Sequence, residues 1–236
     1  MDIELSRQPP RALRTLSFMM QEFAKRTPSV AQPPTIVLDG LSRWYGEVLG
    51  INKVTAEIRP GITGLVGPNG SGKSTLMNLI CGLLRPGQGT ATVFGASACN
   101  NPALRRRMGY CVQVDHFYEG FSGFDFVCAI LQLQGRGKAW AKERAEHALD
   151  LAGMAPHMHR RLRGYSKGMR QRTKIALSLA HQPEVLVLDE PFNGLDPVGR
   201  REMMELFSEY AREGRTMIVS SHILHEVEQM TDNILM

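Results

Sequence analysis

Lys73 follows Gly72 directly and precedes two hydroxyls, Ser74 and Thr75, at the end of the run Gly67-Pro68-Asn69-Gly70-Ser71-Gly72-Lys73-Ser74-Thr75. The run fits the phosphate-binding spacing G-x-x-x-x-G-K-[ST]. Glycines let backbone N–H groups converge on an anion, and a helix N-terminus adds partial positive charge. Lys73 can reach the β- and γ-phosphates of a nucleotide, and the Ser74 hydroxyl can ligate Mg²⁺. A second group lies far along the chain, at Asp189-Glu190 after Val185-Leu186-Val187-Leu188. Four apolar residues put both carboxylates at the carboxyl end of a buried strand, where open α/β sheets bind ligands. Asp189 can hold Mg²⁺ directly or through water. Glu190 can orient and deprotonate an attacking water.

These groups need elements to position them. Ile62 to Val66 reads as the strand leading into the glycine-rich loop, and Thr75 to Cys81 as the helix leading out. Thr35–Asp39 and Asn52–Ile58 read as strands, with Gly46 and Gly50 in their connection. Gly89–Phe94 and Met108–Val112 read as further strands. Helical patterns follow over 123–134 after Ser122, over 138–151 before Gly153, and over 168–180. After the strand 185–188 come a helix over 203–210, a strand over 216–220 and a helix over 223–230. Strands joined by helical crossovers predict an α/β fold with a mostly parallel sheet covered on both faces. The helical stretch from about 117 to 163 falls between two sheet strands and reads as an inserted helical subdomain.

The chain of 236 residues is long enough for one sizeable α/β domain, with 43% hydrophobic and 22% charged residues. A net charge of +5 suits an anionic ligand or a membrane surface without selecting either. Cys81, Cys99, Cys111 and Cys128 have no C-x-x-C spacing and read as reduced thiols, while His157 and His159 lack matching metal ligands. No apolar run reaches membrane-spanning length, and no secretory signal is visible. Residues 1–34 stand apart as an extension bracketed by Pro9-Pro10 and Pro33-Pro34, with Leu13, Leu16, Met20, Phe23 and Ala24 at helical spacing between basic residues. The readings for this stretch are a basic amphipathic helix on a membrane or partner, a helix packed on its own domain, and a disordered tail. The folded domain is expected over 35–236.

Between the two nucleotide motifs lies Tyr165-Ser166-Lys167-Gly168-Met169-Arg170-Gln171-Arg172. It resembles the signature motif of ATP-binding cassette (ABC) ATPases, usually written L-S-G-G-Q. Other segments resemble that family's motifs in order. Tyr45 matches the aromatic that stacks on adenine, Gln113 the Q-loop glutamine, Asn193 to Pro197 the D-loop, and Ser220-Ser221-His222 the H-switch. The resemblance runs from about Thr35 to the end of the chain. It implies a P-loop NTPase core with an N-terminal antiparallel β subdomain.

The resemblance also implies an ATPase with ATP and Mg²⁺ as cofactors. Two cassettes, identical or different, would sandwich two ATP molecules head to tail. The residues 67–75 of one subunit and Ser166, Lys167, Gly168 and Met169 of the other would contact each ATP. His222 would touch the γ-phosphate and the attacking water. Gln113 would sense Mg²⁺ and link the site to transmembrane permease subunits, and Asp196 would join the two sites. The implied location is peripheral, on the cytoplasmic face of a membrane, with no nucleic-acid partner.

Lys167 and Met169 depart from L-S-G-G-Q, and the form Y-S-K-G-M-R-Q-R resembles the branch serving drug, polysaccharide and lipid exporters. Export is therefore the expected direction. Family members continue beyond the H-switch helix, and Ile234-Leu235-Met236 reads as the start of a strand cut short. Two other readings stand beside transport: a soluble cassette acting on ribosomes or DNA, and a regulatory cassette that binds ATP without turnover. The first lacks here the paired cassettes or long coiled coil of such proteins. Intact Glu190, His222 and Gln113 argue against the second.

Overall fold

The computed structural model describes residues 33–236. The helical spacing between residues 11 and 26 lies outside the described residues. Strands β1 (Ile36–Tyr45) and β2 (Val48–Ile58) pair antiparallel as a hairpin, turning at Gly46 with φ of 59°. Both strands extend beyond the sequence expectation, and Gly50 belongs to β2 rather than to the connection. Register shifts along the pair break the simple alternation that marks a strand in sequence. A Cβ on Gly50 would sit 3.0 Å from the Tyr45 ring, so glycine there leaves space for the aromatic.

Strand β3 (Gly61–Val66) leads into the glycine-rich loop, and helix α1 (Lys73–Ile80) leaves it. Strands β4 (Gln88–Val93) and β5 (Ala96–Ser97) complete a four-stranded antiparallel sheet in the order β2-β1-β4-β5. A short helix, α2 (Pro102–Arg105), is capped by the Asn101 side chain and precedes strand β6 (Met108–Cys111). Helices α3 (Gly123–Leu133) and α4 (Lys138–Leu151) follow. Ser122 caps α3 as expected, accepting from the Asp125 N–H.

Helix α5 (Lys167–Leu179) leads to strand β7 (Val185–Leu188), then to helix α6 (Pro197–Arg212). Strand β8 (Thr216–Ser221), helix α7 (Leu224–Glu228) and strand β9 (Ile234–Leu235) close the order. The second sheet is parallel, in the order β6-β7-β8-β3-β9. Helix α6 starts six residues before the sequence expectation of 203, because Asp196 caps it and Pro197 occupies its first turn.

The period of two along β7 assigns its residues to two cores. Val185 and Val187 pack with α1 and the antiparallel sheet, in a cluster that includes Ile36, Leu38, Met77 and Ile80. Leu186 and Leu188 pack on the opposite face with Ile175 and Leu179 of α5 and Met203 and Phe207 of α6. β8 divides in the same way, with Ile218 on the first face and Met217 and Val219 on the second. The parallel sheet is thus a central layer covered on both faces, which explains its unbroken apolar strands.

A third core lies among α3, α4 and the segment leading to α5, built from Phe126, Leu131, Ala145, Leu149 and Leu162. Ala176 and Ala180, from α5 and its end, also belong to it. Among the described residues, no helix is long and apolar enough to cross a membrane. The four cysteines are free, and burial pushes the Cys81 and Cys111 thiols up to about 12, so both are protonated at neutral pH.

Candidate functional site

The carboxyl ends of β3, β7 and β8 meet beside the N-terminus of α1. Gly72, with φ of 94°, stands at the helix start and supplies no side-chain cap. A Cβ there would lie 2.5 Å from the Gly50 carbonyl oxygen, so both backbone conformation and close approach to β2 demand glycine. The first amides of α1 are left for an external acceptor.

Lys73 is 8% exposed, and its Nζ donates to the carbonyls of Gly67 at 2.7 Å and Pro68 at 3.1 Å. The ammonium curls over its own loop. Ser74 Oγ donates to Asp189 Oδ2 at 2.7 Å, so a hydroxyl from α1 and a carboxylate from the end of β7 meet across 115 residues of sequence. Ser220, on β8, ties this pair to the next residue. Its Oγ donates to Asp189 Oδ1 at 2.8 Å and accepts from the Glu190 N–H at 2.9 Å. Sequence reasoning gave Ser220 only as part of a motif. Its contacts tie the Asp189 carboxylate to the Glu190 backbone.

Glu190 has φ of 49°, a left-handed conformation that costs a non-glycine residue on the order of 1 kcal/mol. That turn aims its carboxylate along the site. Oε2 pairs with His222 Nδ1 at 2.9 Å, while Oε1 is buried with no partner among the described residues. A buried carboxylate oxygen without a donor is an open acceptor position.

A cavity of about 380 Å³ collects these groups, lined by Tyr45, Lys73, Ser74, Gln113, Asp189 and Glu190. Asn69, Gly70, Gly72 and Thr75 complete the loop side, and Val48, Leu49 and Gly50 the other. Gly67, Pro68 and Ser71 turn instead to a separate apolar cleft beside Leu235. Tyr45 is half exposed, and its hydroxyl shares a 3.3 Å hydrogen bond with Thr75 Oγ1. The apolar rim of Tyr45, Val48 and Leu49 at one end, and cationic and amide donors at the other, match the two ends of a nucleotide.

Ser166, Lys167, Gly168, Met169 and Asp196 are not in this cavity. They line a second one of about 630 Å³ with Arg172. Ser166 caps α5, its Oγ accepting from the Met169 N–H at 3.2 Å. Lys167 Nζ donates to Asn193 Oδ1 at 3.0 Å, so the residue that departs from L-S-G-G-Q reaches the loop before α6. Asp196 Oδ1 accepts from the Gly199 N–H at 2.9 Å. One chain therefore carries two separate cavities.

Sequence reasoning missed Lys174. It is 8% exposed, and its Nζ donates to the Gln113 carbonyl at 2.9 Å and pairs with Asp115 Oδ1 at 2.8 Å. A lysine in the middle of a helix rich in buried residues was the available signal. Replacing it by Met is expected to free the Gln113 segment while keeping the aliphatic bulk. In the ATPase that the sequence resemblance implies, the Mg²⁺ concentration that supports half-maximal turnover should rise severalfold, with thermal stability falling by about 1–3 kcal/mol for the stranded polar groups. An unchanged Mg²⁺ requirement would leave Lys174 a core lysine only.

A family profile described as "ABC transporter" matches residues 51–193, more than half of the chain. The bacitracin transport ATP-binding protein BcrA of Enterococcus faecalis is 36% identical over 202 residues, covering 84% of this chain and 65% of that protein. The daunorubicin/doxorubicin resistance ATP-binding protein DrrA of Streptomyces peucetius is 35% identical over 201 residues, covering 84% and 61%. The chain thus spans just under two thirds of the length of these relatives. Among solved structures, the dimeric bacterial ABC transporter cassette MJ0796 superposes with a TM-score of 0.77 at 24% identity, covering 85% of this chain and 96% of that one. That likeness carries the fold, and the sequence matches carry the family: this chain is a member of the ABC transporter family, built around its ATP-binding cassette.

Proposed function

We propose that this chain is the ATP-binding and ATP-hydrolysing subunit of an ABC transporter, driving export through transmembrane permease subunits and working as a pair of cassettes. The observation that carries the proposal is one cavity in which Lys73 and the N-terminal amides of α1 face Asp189 and Glu190, with His222 paired to Glu190. The names of the similar proteins, for bacitracin transport and daunorubicin/doxorubicin resistance, favour export, as does the Ser-Lys-Gly-Met signature. Residues 117–163 would form the helical arm of the cassette, and the permease would hold it on the cytoplasmic face of the membrane.

The chemistry follows from the groups present. The loop amides and Lys73 bind the β- and γ-phosphates, with Lys73 exchanging its two carbonyl partners for phosphate oxygens. Ser74, Asp189 and Gln113 offer the hard oxygen donors that suit Mg²⁺ and would hold it. Bound there, Mg²⁺ offsets the negative charge of the β- and γ-phosphates. Glu190 Oε1, the oxygen with no partner among the described residues, takes a proton from water as that water attacks the γ-phosphorus. The bond to the β–γ bridging oxygen breaks, and ADP and phosphate leave. His222, fixed by Glu190 Oε2, orients the same water. The signature half-site then supplies donors to the γ-phosphate of a second subunit.

Nucleotide titration tests the assignment of the two ends. Lys73→Ala is expected to weaken ATP binding by at least tenfold and stop hydrolysis, since a phosphate cluster loses its buried cation. Tyr45→Ala should weaken affinity only severalfold, through lost contact with the base. A larger effect at Tyr45 than at Lys73 would reverse the orientation of the nucleotide. Purification from detergent-solubilised membranes should recover an integral membrane protein with the chain. Recovery with ribosomes or DNA in its place would overturn the transport reading.

A further inference from the structure

The loop 193–197 and the turn around His222 are far apart in sequence, with α6 and most of β8 between them. One side chain joins them in space. Arg200, in the first turn of α6, directs its guanidinium two ways. Nε donates to the Leu195 carbonyl at 3.2 Å, and Nη1 donates to Glu226 Oε1 at 2.7 Å. Glu226 is 8% exposed, and its other oxygen accepts from Ser221 Oγ at 2.8 Å. Ser221 Oγ accepts in turn from the Ile223 N–H at 3.0 Å. His222 stands between those two residues, with its Nδ1 2.9 Å from Glu190 Oε2. The hydrogen bonds run without a gap from the Leu195 carbonyl to both backbone neighbours of His222.

The two ends of this chain of bonds belong to different half-sites. Leu195 and Asp196 line the second cavity, beside Ser166 and Gly168. His222 reaches the first cavity through Glu190. We infer that Arg200 is a positioning residue that couples the second cavity to the His222–Glu190 pair. When the second cavity is filled by another subunit's nucleotide, the 193–197 loop is held, and Arg200 fixes the turn that carries His222. The inference rests on the proposed ATPase reading, from which it takes the roles of the two cavities.

The chemistry of the residue supports a relay over a simple staple. A cation is needed to neutralise the largely buried Glu226, and a lysine could do that. Donating at the same time to a carbonyl on another segment takes the planar fork of a guanidinium. A staple between α6 and α7 has no use for the bond to Leu195.

The test compares Arg200→Met, Arg200→Lys and Glu226→Gln in the full chain, with MgATP as the probe. Arg200→Met is expected to keep ATP affinity within about twofold and to lower kcat about tenfold, the size of effect seen along coupling networks. Amide exchange at Ile223 should quicken in that variant, with Thr216 to Val219 of β8 unchanged. Arg200→Lys should restore the melting temperature, because Glu226 regains a cation, yet leave kcat severalfold low, because Leu195 stays unheld. Glu226→Gln should lower kcat as well, since it weakens the pairing with Arg200.

Two results would overturn the inference. One is wild-type kcat in all three variants. The other is full recovery of both kcat and melting temperature by Arg200→Lys, which makes Arg200 a staple. If Arg200→Met does not fold, the Lys and Gln variants decide between the same outcomes. Wild-type protein that binds but never hydrolyses MgATP would sink the ATPase reading itself, a result separate from any ranking of these variants.

Discussion

Glu190→Gln is expected to bind ATP as the wild type does and to lose turnover by on the order of 10²–10⁴-fold. The substitution is nearly isosteric, and glutamine adopts the same left-handed backbone at no greater cost than glutamate. The Ser220 hydroxyl that holds the residue 190 N–H is untouched, since that bond is made by backbone. Lys73, Ser74 and the amides of α1 are untouched as well, so the phosphate contacts persist. The loss falls on Oε1, the buried oxygen with no partner among the described residues. As a carboxylate oxygen it can take a proton from water, and as part of an amide it cannot. Steady-state phosphate release and equilibrium ATP binding, measured on both proteins, check this. Unchanged turnover in the variant would move the base to another residue. Weakened binding with unchanged turnover per bound ATP would make Glu190 a nucleotide-positioning group.

The glycine-rich loop and the two carboxylates were largely legible in the sequence because their signals are local. Gly72-Lys73-Ser74 and Asp189-Glu190 each sit at a junction of strand and helix or loop, and the flanking apolar runs announce the strands. The structure adds that Ser74 and Asp189 touch, at 2.7 Å, which follows only from β3 and β7 lying in one parallel sheet with β8 between them. The hairpin of β1 and β2 was read too short. Its bulges interrupt the period of two at Leu38–Leu41 and Leu41–Arg43, so residues past Asp39 look like loop. Helix α6 was also read too short, although Asp196 and Pro197 are an N-cap and a first-turn proline. Reading them only as family-motif residues hid their local role.

Lys174 and Arg200 were invisible for a different reason. Their partners Gln113 and Glu226 are 61 and 26 residues away, and no local rule pairs them. The separation of the signature from the glycine-rich loop is likewise tertiary. Each segment is a clear motif, yet whether the two share one cavity depends on where α5 points. In this chain they do not share one; on the proposed ATPase reading, each is incomplete without a second copy or a related cassette.

Ser166→Arg tests that incompleteness, and it is expected to abolish turnover while leaving ATP binding to the isolated chain nearly intact. Ser166 lines the second cavity and touches nothing in the first. ATP therefore still meets Lys73 and the α1 amides in a single subunit. What arginine obstructs is the approach of a partner's γ-phosphate to the start of α5, where the serine hydroxyl and the Gly168 amide are presented. In the Glu190→Gln background, where bound ATP persists, MgATP should convert monomer to dimer, with ADP as the control. Adding Ser166→Arg should return the protein to monomer. Light scattering on size-exclusion fractions reads both states.

Arginine also removes a helix cap, at a cost of about 1 kcal/mol. Ser166→Asn keeps an N-cap acceptor and separates the two effects, since asparagine should preserve folding and retain partial dimerisation. A Glu190→Gln protein that binds MgATP and stays monomeric even beside its membrane partner would sink the composite site. So would a Ser166→Arg protein that dimerises and turns over as the wild type does. The sign of the asparagine result then carries the mechanism. Dimerisation that follows the cap points to the geometry of α5, and dimerisation that follows side-chain bulk points to a γ-phosphate held between one subunit's loop and the other's signature.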